Sequence, residues 1–143
     1  AGSWVQTIII LEVDMEKVAI NPASVAKAQT YSHGIKVGSL LFVAGQVARD
    51  AQGRMVGVRD IRAQTAQVYE NIKAVLAEAG ARFDNVVKTT SYLVNMDLNY
   101  QGYSEARAKY LPKDKPPAST LVEVKSLVPP DALIEVEAVA VLD

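Results

Sequence analysis

The pattern of apolar and polar positions divides the chain from Met15 onward into short strands and two helices. Five stretches are rich in β-prone residues and are bounded by turn-forming residues. The second stretch holds a tight Gly38-Ser39 turn and therefore predicts two strands joined as a hairpin. The predicted strand regions are residues 17–20, 34–43, 86–94, 118–124 and 133–142.

Two helices are predicted between these strands. Asp60 is a good N-cap for a helix through Ala79, and Gly80 supplies its left-handed stop. A second helix is expected over roughly residues 100–111. The first helix carries one apolar stripe at helical spacing, made of Val68, Ile72, Val75, Leu76 and Ala79. The resulting order, β-β-β-α-β-α-β-β, predicts a single α+β domain in which a sheet carries both helices on one face.

The strand that follows the Gly38-Ser39 turn has two apolar faces. Leu40 and Phe42 point to one side, and Leu41 and Val43 point to the other. In a chain of this size, helices can cover one face of the sheet. We therefore expect the second face to meet a partner subunit.

Composition narrows the range of functions. The chain has 143 residues, with 15 Lys+Arg, 16 Asp+Glu, one His and no Cys. A net charge of −1 offers no basic field for phosphates and disfavours nucleic acid as a partner. The absence of cysteine excludes thiolate catalysis, and one histidine excludes a His-rich metal cluster. No apolar run approaches the length of a membrane span, and we expect a soluble cytoplasmic protein.

Residues 1–14 differ in pattern from the rest of the chain. The stretch 5–13 is apolar and β-prone and lies directly before Met15. It is either a native extra edge strand or a segment introduced upstream of a natural start at Met15, and we favour the second interpretation. It has neither the cationic start nor the cleavage site of a secretory signal. Functional interpretation is therefore confined to one domain, residues 15–143.

Two parts of the chain carry candidate chemistry. His33 lies in a predicted turn, where a single His is usually a solvated or hydrogen-bonded surface group. In the last strand, Glu135 and Glu137 share a face with large apolar residues. A carboxylate in partly apolar surroundings has a raised pKa, which suits general acid–base catalysis at neutral pH. The alternative is that this face is solvated.

Five segments, in their order and spacing, resemble the RidA (YjgF, or liver perchloric-acid-soluble protein) family. They are residues 31–34, 37–46, 71–80, 87–90 and 134–140. The resemblance extends from about Met15 to Leu142 and implies a chorismate-mutase-like fold that forms a homotrimer with clefts at the subunit interfaces. In its well-studied branch, this family hydrolyses reactive enamine or imine intermediates to keto acids and ammonia, without a metal or cofactor.

The resemblance also implies roles for individual residues. Tyr31 matches the Tyr of the family's pocket, and Gly45 matches a backbone position after the second core strand. Glu135 matches the Glu that positions the attacking water. Ser104 is expected at the place of a pocket Asn on the second helix.

The Arg that clamps the substrate carboxylate in this family has no counterpart here. The family's Pro-Ala-Arg-Ser segment reads Pro-Ala-Ser-Thr, so that Ser119 and Thr120 are the expected substrate contacts on this strand. A guanidinium–carboxylate contact contributes about 1.5–3 kcal/mol, which a neutral hydroxyl does not replace. Arg49 and Lys88 are candidates for the missing charge. The alternative is that Arg49 is a surface charge beside a turn and that Lys88 is a strand-edge lysine.

Three functions are compatible with these residues. The first is a RidA-like hydrolase or deaminase that acts on a small enamine, imine or related metabolite, with a substrate altered by Ser119. The second is a non-catalytic trimer whose interface clefts bind a small metabolite for sensing or sequestration. The third is the endoribonuclease or translation-inhibitor activity recorded in family names. An acidic charge balance and the absence of a basic, aromatic-interleaved patch disfavour this third function.

Overall fold

The computed structural model describes residues 15–143, and the expectations for residues 1–14 lie outside the described residues. The strands and helices follow the predicted order, and a short 3₁₀ turn precedes β4. Their bounds are β1 (Val18–Ile20), β2 (Gly34–Val37), β3 (Leu40–Gln46), α1 (Ile61–Glu78), β4 (Val86–Val94), α2 (Met96–Ala108), β5 (Ala118–Val124) and β6 (Ile134–Val141).

The strands form one six-stranded sheet in the order β1-β2-β3-β6-β4-β5. Neighbouring strands are antiparallel except β4 and β5, which are parallel and connected through α2. The last strand, β6, therefore lies in the interior of the sheet, between β3 and β4. Helix α1 packs against β3 and β6, and α2 packs against β4 and α1. The predicted α+β fold is thus confirmed.

The sheet has one covered face and one open face. Leu41 and Val43 lie under the helices and are buried, with 0% and 3% of their surface exposed. Leu40 and Phe42 alternate with them on the open face, where Phe42 lies opposite Val139 of β6. These two side chains remain 40% and 47% exposed. The prediction of two apolar faces on this strand is confirmed, and no helix or strand among residues 15–143 covers the second face.

The first helix forms as its caps and spacing predict. The Asp60 side chain accepts a hydrogen bond from the Ala63 backbone N–H at 3.1 Å, which satisfies one of the free donors at the helix start. Gly80 follows the C-cap with a φ of 77°, a conformation that favours glycine. Neither α1 nor α2, the two α-helices of residues 15–143, is long and apolar enough to span a bilayer.

The second helix differs from its prediction at both ends. It begins at Met96 rather than near residue 100, and it ends at Ala108 rather than near residue 111. The early start depends on Asn95, whose side chain accepts from the Leu98 backbone N–H. In addition, Glu123 Oε2 of β5 accepts the Met96 backbone N–H at 2.8 Å. The second of these partners is distant in sequence, and no local pattern shows it.

Candidate functional site

A cavity of about 420 Å³ lies where the end of β3 meets the first residues of β6. Its walls come from the segment before β2, the end of β3 and the residues after it, the loop before β6, and β6 itself. The lining residues are Tyr31, Ala44, Gly45, Val47, Arg49, Val128, Pro129 and Glu135. The structure therefore brings together four residues that the sequence analysis selected from distant parts of the chain: Tyr31, Gly45, Arg49 and Glu135.

Gly45 and Glu135 lie close together at this cavity. The ladder between β3 and β6 is irregular between Val43 and Gln46, so Gly45 has no direct partner on β6. A β-carbon on Gly45 would lie 2.9 Å from Cδ of Glu135 and still closer to Oε1. The carboxyl group of Glu135 thus occupies the space beside the Gly45 backbone, which a side chain at position 45 would fill.

The surroundings of Glu135 increase its basicity. Partial burial raises the pKa of Glu135, and the negative charge of Glu137 on the same strand raises it further. Tyr92 of β4 lies opposite Glu135, and its hydroxyl donates a 2.6 Å hydrogen bond to Glu137 Oε1. This hydrogen bond raises the pKa of Tyr92, so the hydroxyl remains a protonated donor at neutral pH. Within residues 15–143, no hydrogen bond or ion pair reaches the Glu135 carboxylate, which leaves it available to a water or a ligand.

His33 is buried next to Tyr31 of the cavity wall and is not a surface group. It is buried, with 5% of its surface exposed, which corrects the surface position expected from the sequence. Its Nε2 donates to the Ala26 carbonyl at 2.6 Å, because a carbonyl oxygen can only accept. Nδ1 then accepts from Gln46 Nε2 at 3.1 Å, at the end of β3. The His33 ring also contacts the edge of the Tyr31 ring, with 5.5 Å between the ring centroids, and so helps to position a cavity residue.

The other predicted substrate contacts do not line this cavity in the single chain. Ser119 and Thr120 lie on β5, which β4 separates from β6, and Ser104 is half-buried on α2. Ser119 and Thr120 point to opposite faces of the sheet because they are neighbours in a strand. Within one subunit, these three residues are therefore not part of the cavity wall.

Lys88 is not a strand-edge lysine. It lies on β4, which is an interior strand between β6 and β5. Its Nζ donates to Thr120 Oγ1 at 2.5 Å on the open face of the sheet. Because Lys88 does not line the cavity, it supplies no positive charge there within one chain.

A guanidinium from α2 lies beside position 119, and the sequence analysis did not identify it. Arg107 Nη2 donates a 3.4 Å hydrogen bond to Ser119 Oγ, and its Nε donates to the Tyr69 hydroxyl at 3.4 Å. Burial acts to lower the pKa of Arg107, but the hydrogen bond to Tyr69 and the nearby tyrosines outweigh it and raise the pKa. Arg107 also lies 5.6 Å from the centroid of the Tyr103 ring. The i, i+4 spacing of Tyr103 and Arg107 was the only local sign of this arrangement.

The polar groups of the cavity define what it can bind. They are the Tyr31 hydroxyl, the Arg49 guanidinium and the Glu135 carboxylate, set among apolar side chains. Within residues 15–143, no group of three or more His, Asp and Glu side chains is arranged to hold a metal ion. The cavity thus offers one cation, one hydroxyl and one base to a small polar molecule.

Comparisons with known proteins agree with this fold. The family model described as endoribonuclease L-PSP matches residues 21–142. A RutC family protein from Pyrococcus abyssi is 48% identical over 111 residues, which are 77% of this chain and 84% of that protein. A Rid family protein of unknown function from Yersinia pestis has a TM-score of 0.82 at 35% identity, covering 89% of this chain and 100% of that chain. The structure of E. coli TdcF with bound serine has a TM-score of 0.79 at 25% identity, again over 89% of this chain and 100% of that chain. The chain therefore belongs to the RidA/YjgF family, the family of the endoribonuclease L-PSP model.

Proposed function

We propose that this protein is a RidA-like hydrolase that deaminates small enamine or imine metabolites, with Glu135 as its catalytic base. Membership of the family supports a small-molecule deaminase or hydrolase role. The observation that carries the specific proposal is the environment of Glu135, a carboxylate of raised pKa at the wall of a cavity. No hydrogen-bond partner among residues 15–143 competes with a water for this carboxylate.

The proposed reaction needs only one acid–base group and water. Glu135 accepts a proton from a water as the water oxygen bonds to the carbon of the protonated imine, which gives a neutral carbinolamine. The protonated Glu135 then gives this proton to the amino group, and the C–N bond breaks to release ammonia. The carbinolamine hydroxyl proton passes to Glu135 as the keto product forms, and from there to solvent. A carboxyl group with a raised pKa suits both steps, because it accepts and donates protons closer to neutral pH.

The dimensions of the cavity favour a small substrate. A volume of about 420 Å³ lies at the lower end of the range for ligand pockets and fits a metabolite of a few carbon atoms. The Tyr31 hydroxyl, on a side chain that is 54% exposed, is placed to hydrogen-bond a substrate from the open side. The TdcF structure with bound serine gives a precedent in the family for a ligand of this size.

We further propose that the protein is a homotrimer whose subunits associate through the open face of the sheet. This face carries apolar side chains that are at least 40% exposed in the single chain, namely Leu40, Phe42, Val122 and Val141. Association through this face would also give a role to Thr120, which lies on it beside Lys88 and would approach the cavity of a neighbouring subunit. Ser119 points to the helix side of the sheet, toward Arg107, and Ser104 lies on α2, so neither lies on the associating face. The active site would then be a cleft between subunits.

The serine at position 119 favours a second candidate function. If substrate binding depends on a guanidinium at this position, a chain with Ser119 binds the metabolite weakly or in another orientation. The protein would then be a non-catalytic trimer that senses or sequesters its ligand. Endoribonuclease activity is disfavoured, since the charge of the chain is −1.

An imine-hydrolysis assay tests the proposal. Imines of the 2-iminopropionate and 2-iminobutyrate type are generated in situ by an amino acid oxidase, and their disappearance is followed with and without the protein. We expect acceleration by the wild type and a roughly 10²–10⁴-fold loss in Glu135→Gln. Glu78→Gln, an exposed carboxylate at the end of α1, is the matched control and should retain full activity. Equal rates for Glu135→Gln and wild type would disprove the catalytic assignment. Binding of the keto product without turnover by the wild type would favour the non-catalytic function.

A further inference from the structure

Arg49 presents an unpartnered guanidinium to the same cavity as Glu135. Its Nε is fully enclosed and has no hydrogen-bond acceptor in the structure. Among residues 15–143, the arginines that form ion pairs with carboxylates are Arg54, Arg62 and Arg82. No carboxylate of this described part of the chain lies within 4.0 Å of the Arg49 guanidinium. A buried N–H without an acceptor is unfavourable, so a ligand carboxylate that draws the guanidinium into the cavity and accepts from it would remove this deficit.

The backbone that carries Arg49 is held rigidly from α1. The buried side chain of Asn71 donates from Nδ2 to the Val47 carbonyl at 3.2 Å and to the Arg49 carbonyl at 3.0 Å. Gln67 Nε2 in turn donates to Asn71 Oδ1 at 2.9 Å, which fixes the orientation of the amide. Arg49 also forms an isolated bridge with Met55 across the following turn. The backbone at Arg49 is therefore held in one position, and such preorganisation favours strong binding of a ligand.

The charges in the cavity indicate what kind of anion would bind. Arg49 and Glu135 are the charged residues that line it, and they do not form an ion pair with each other. The single positive charge of Arg49 can neutralise a ligand with one negative charge. A phosphate dianion would leave a second negative charge in the same cavity as the Glu135 carboxylate. A planar carboxylate also matches the two parallel N–H donors of a guanidinium.

We propose that Arg49 binds the carboxylate of a small monoanionic substrate and so places its reactive carbon before Glu135. The substrate class is then a 2-imino acid that enters with its carboxylate toward the residues after β3. This inference rests on the proposed function for the reaction, but the carboxylate site on Arg49 can be tested by binding alone.

The test measures the affinity of the full chain for three probes by isothermal titration calorimetry. The probes are 2-oxobutyrate, its uncharged amide and inorganic phosphate. We expect wild type to prefer 2-oxobutyrate over the other two. Arg49→Gln should lower the affinity for 2-oxobutyrate about 10- to 100-fold, the range for loss of a charge-assisted contact, and change that for the amide less than about threefold. Arg54→Gln, an exposed arginine of the same turn, is the matched control and should change neither affinity.

Each other outcome contradicts the inference. Equal affinity of wild type for 2-oxobutyrate and the amide would show that no charge is recognised. Tighter binding of phosphate than of 2-oxobutyrate would show that the site is selective for an anion other than a carboxylate. If Arg49→Gln does not fold, Arg49→Lys keeps the positive charge but lacks the two parallel N–H donors, and it should weaken 2-oxobutyrate binding by about three- to tenfold. An unchanged affinity in that variant would exclude a bidentate contact.

The binding test and the imine assay fail separately. If Arg49 governs the affinity for 2-oxobutyrate while wild type hydrolyses no imine, the proposed function is wrong and the carboxylate site stands. If imine hydrolysis depends on Glu135 while Arg49→Gln binds 2-oxobutyrate as wild type does, the proposed function stands and the carboxylate site on Arg49 is wrong.

Discussion

The carboxyl group of Glu135 lies against the backbone of Gly45, and Cδ of Glu135 would be 2.9 Å from a β-carbon at position 45. The two residues belong to different strands, β3 and β6, that are neighbours in the sheet. The absence of a side chain at one position thus determines where the charged group of the other can lie. This relationship connects a backbone feature to the proposed catalytic group.

We expect Gly45→Ala to lower turnover about 100-fold while leaving stability nearly unchanged. The atoms that the new methyl group meets belong to the flexible end of the Glu135 side chain, so the carboxyl group moves and the backbone does not. The imine assay and thermal unfolding measure the two effects. Lys73→Ala, at an exposed position of α1 outside the cavity, is the control and should change neither turnover nor stability. Full activity in Gly45→Ala would show that the position of Glu135 is not critical.

The pH dependence of turnover should respond to Glu137. A base must be ionised to act, so kcat/KM should fall on the acid side with an apparent pKa above the ordinary 4.5 of a glutamate. Glu137→Gln removes the negative charge that raises the pKa of Glu135, and the acid limb should then move to lower pH. A pH–rate profile of both proteins measures this shift. A limb that stays in place would mean that burial alone determines the pKa of Glu135.

Glu135 should also make the protein less stable as the pH rises. Its pKa is raised in the folded protein, so the folded state binds this proton more tightly than the unfolded chain. The free energy of unfolding contributed by this group therefore falls as the pH rises from about 4.5 through the raised pKa. Glu135→Gln cannot ionise, and its Tm relative to wild type should be higher at pH 7 than at pH 4. A constant Tm difference across this range would contradict the raised pKa.

The open face of the sheet provides a test of assembly. Phe42 is 47% exposed and lies opposite Val139, so Phe42→Glu introduces a charge in the middle of the proposed interface. We expect light scattering to show a trimer for the wild type and a folded monomer for this variant. Leu98→Glu, at a 74% exposed position of α2, should remain trimeric. A stable wild-type monomer at micromolar concentration would remove the basis for an interface cleft.

Gln64 on α1 connects the helix to the loop before β6. It is fully buried, donates to the carbonyls of Gly57 and Asp131 at 3.1 and 2.9 Å, and accepts from the Leu133 N–H at 2.8 Å. Gln64→Leu leaves these three backbone groups without partners, and we expect a loss of about 2–4 kcal/mol in the free energy of unfolding. Urea denaturation measures it, with the exposed Gln101→Leu on α2 expected to change stability by less than about 0.5 kcal/mol.

Those elements whose determinants are local could be predicted closely from the sequence. Strands β4 and β5 have the predicted bounds, and α1 lies between its predicted cap and stop. The start of α2 was missed because its first N–H is bonded to Glu123, which is distant in sequence. The N-cap Asn95 has a φ of 54°, a turn conformation that does not indicate a helix on its own.

The candidate site was predictable only in part, because some of its contacts join residues that are distant in sequence. Tyr31, Gly45 and Glu135 followed from a resemblance in sequence, and the fold places them at one cavity. The burial of His33 depends on Ala26 and Gln46, which the chain brings close only after folding.

Val128 is 94% exposed and yet forms part of the cavity wall. It has almost no packing to lose, so substitutions there should change stability by less than about 0.5 kcal/mol. Glu135, by contrast, is held in an interior strand of the sheet. Descendants of this protein can therefore acquire new substrate preferences through single neutral steps in a surface loop. The proposed catalytic carboxylate keeps its position, so under this proposal selectivity can evolve independently of the chemistry.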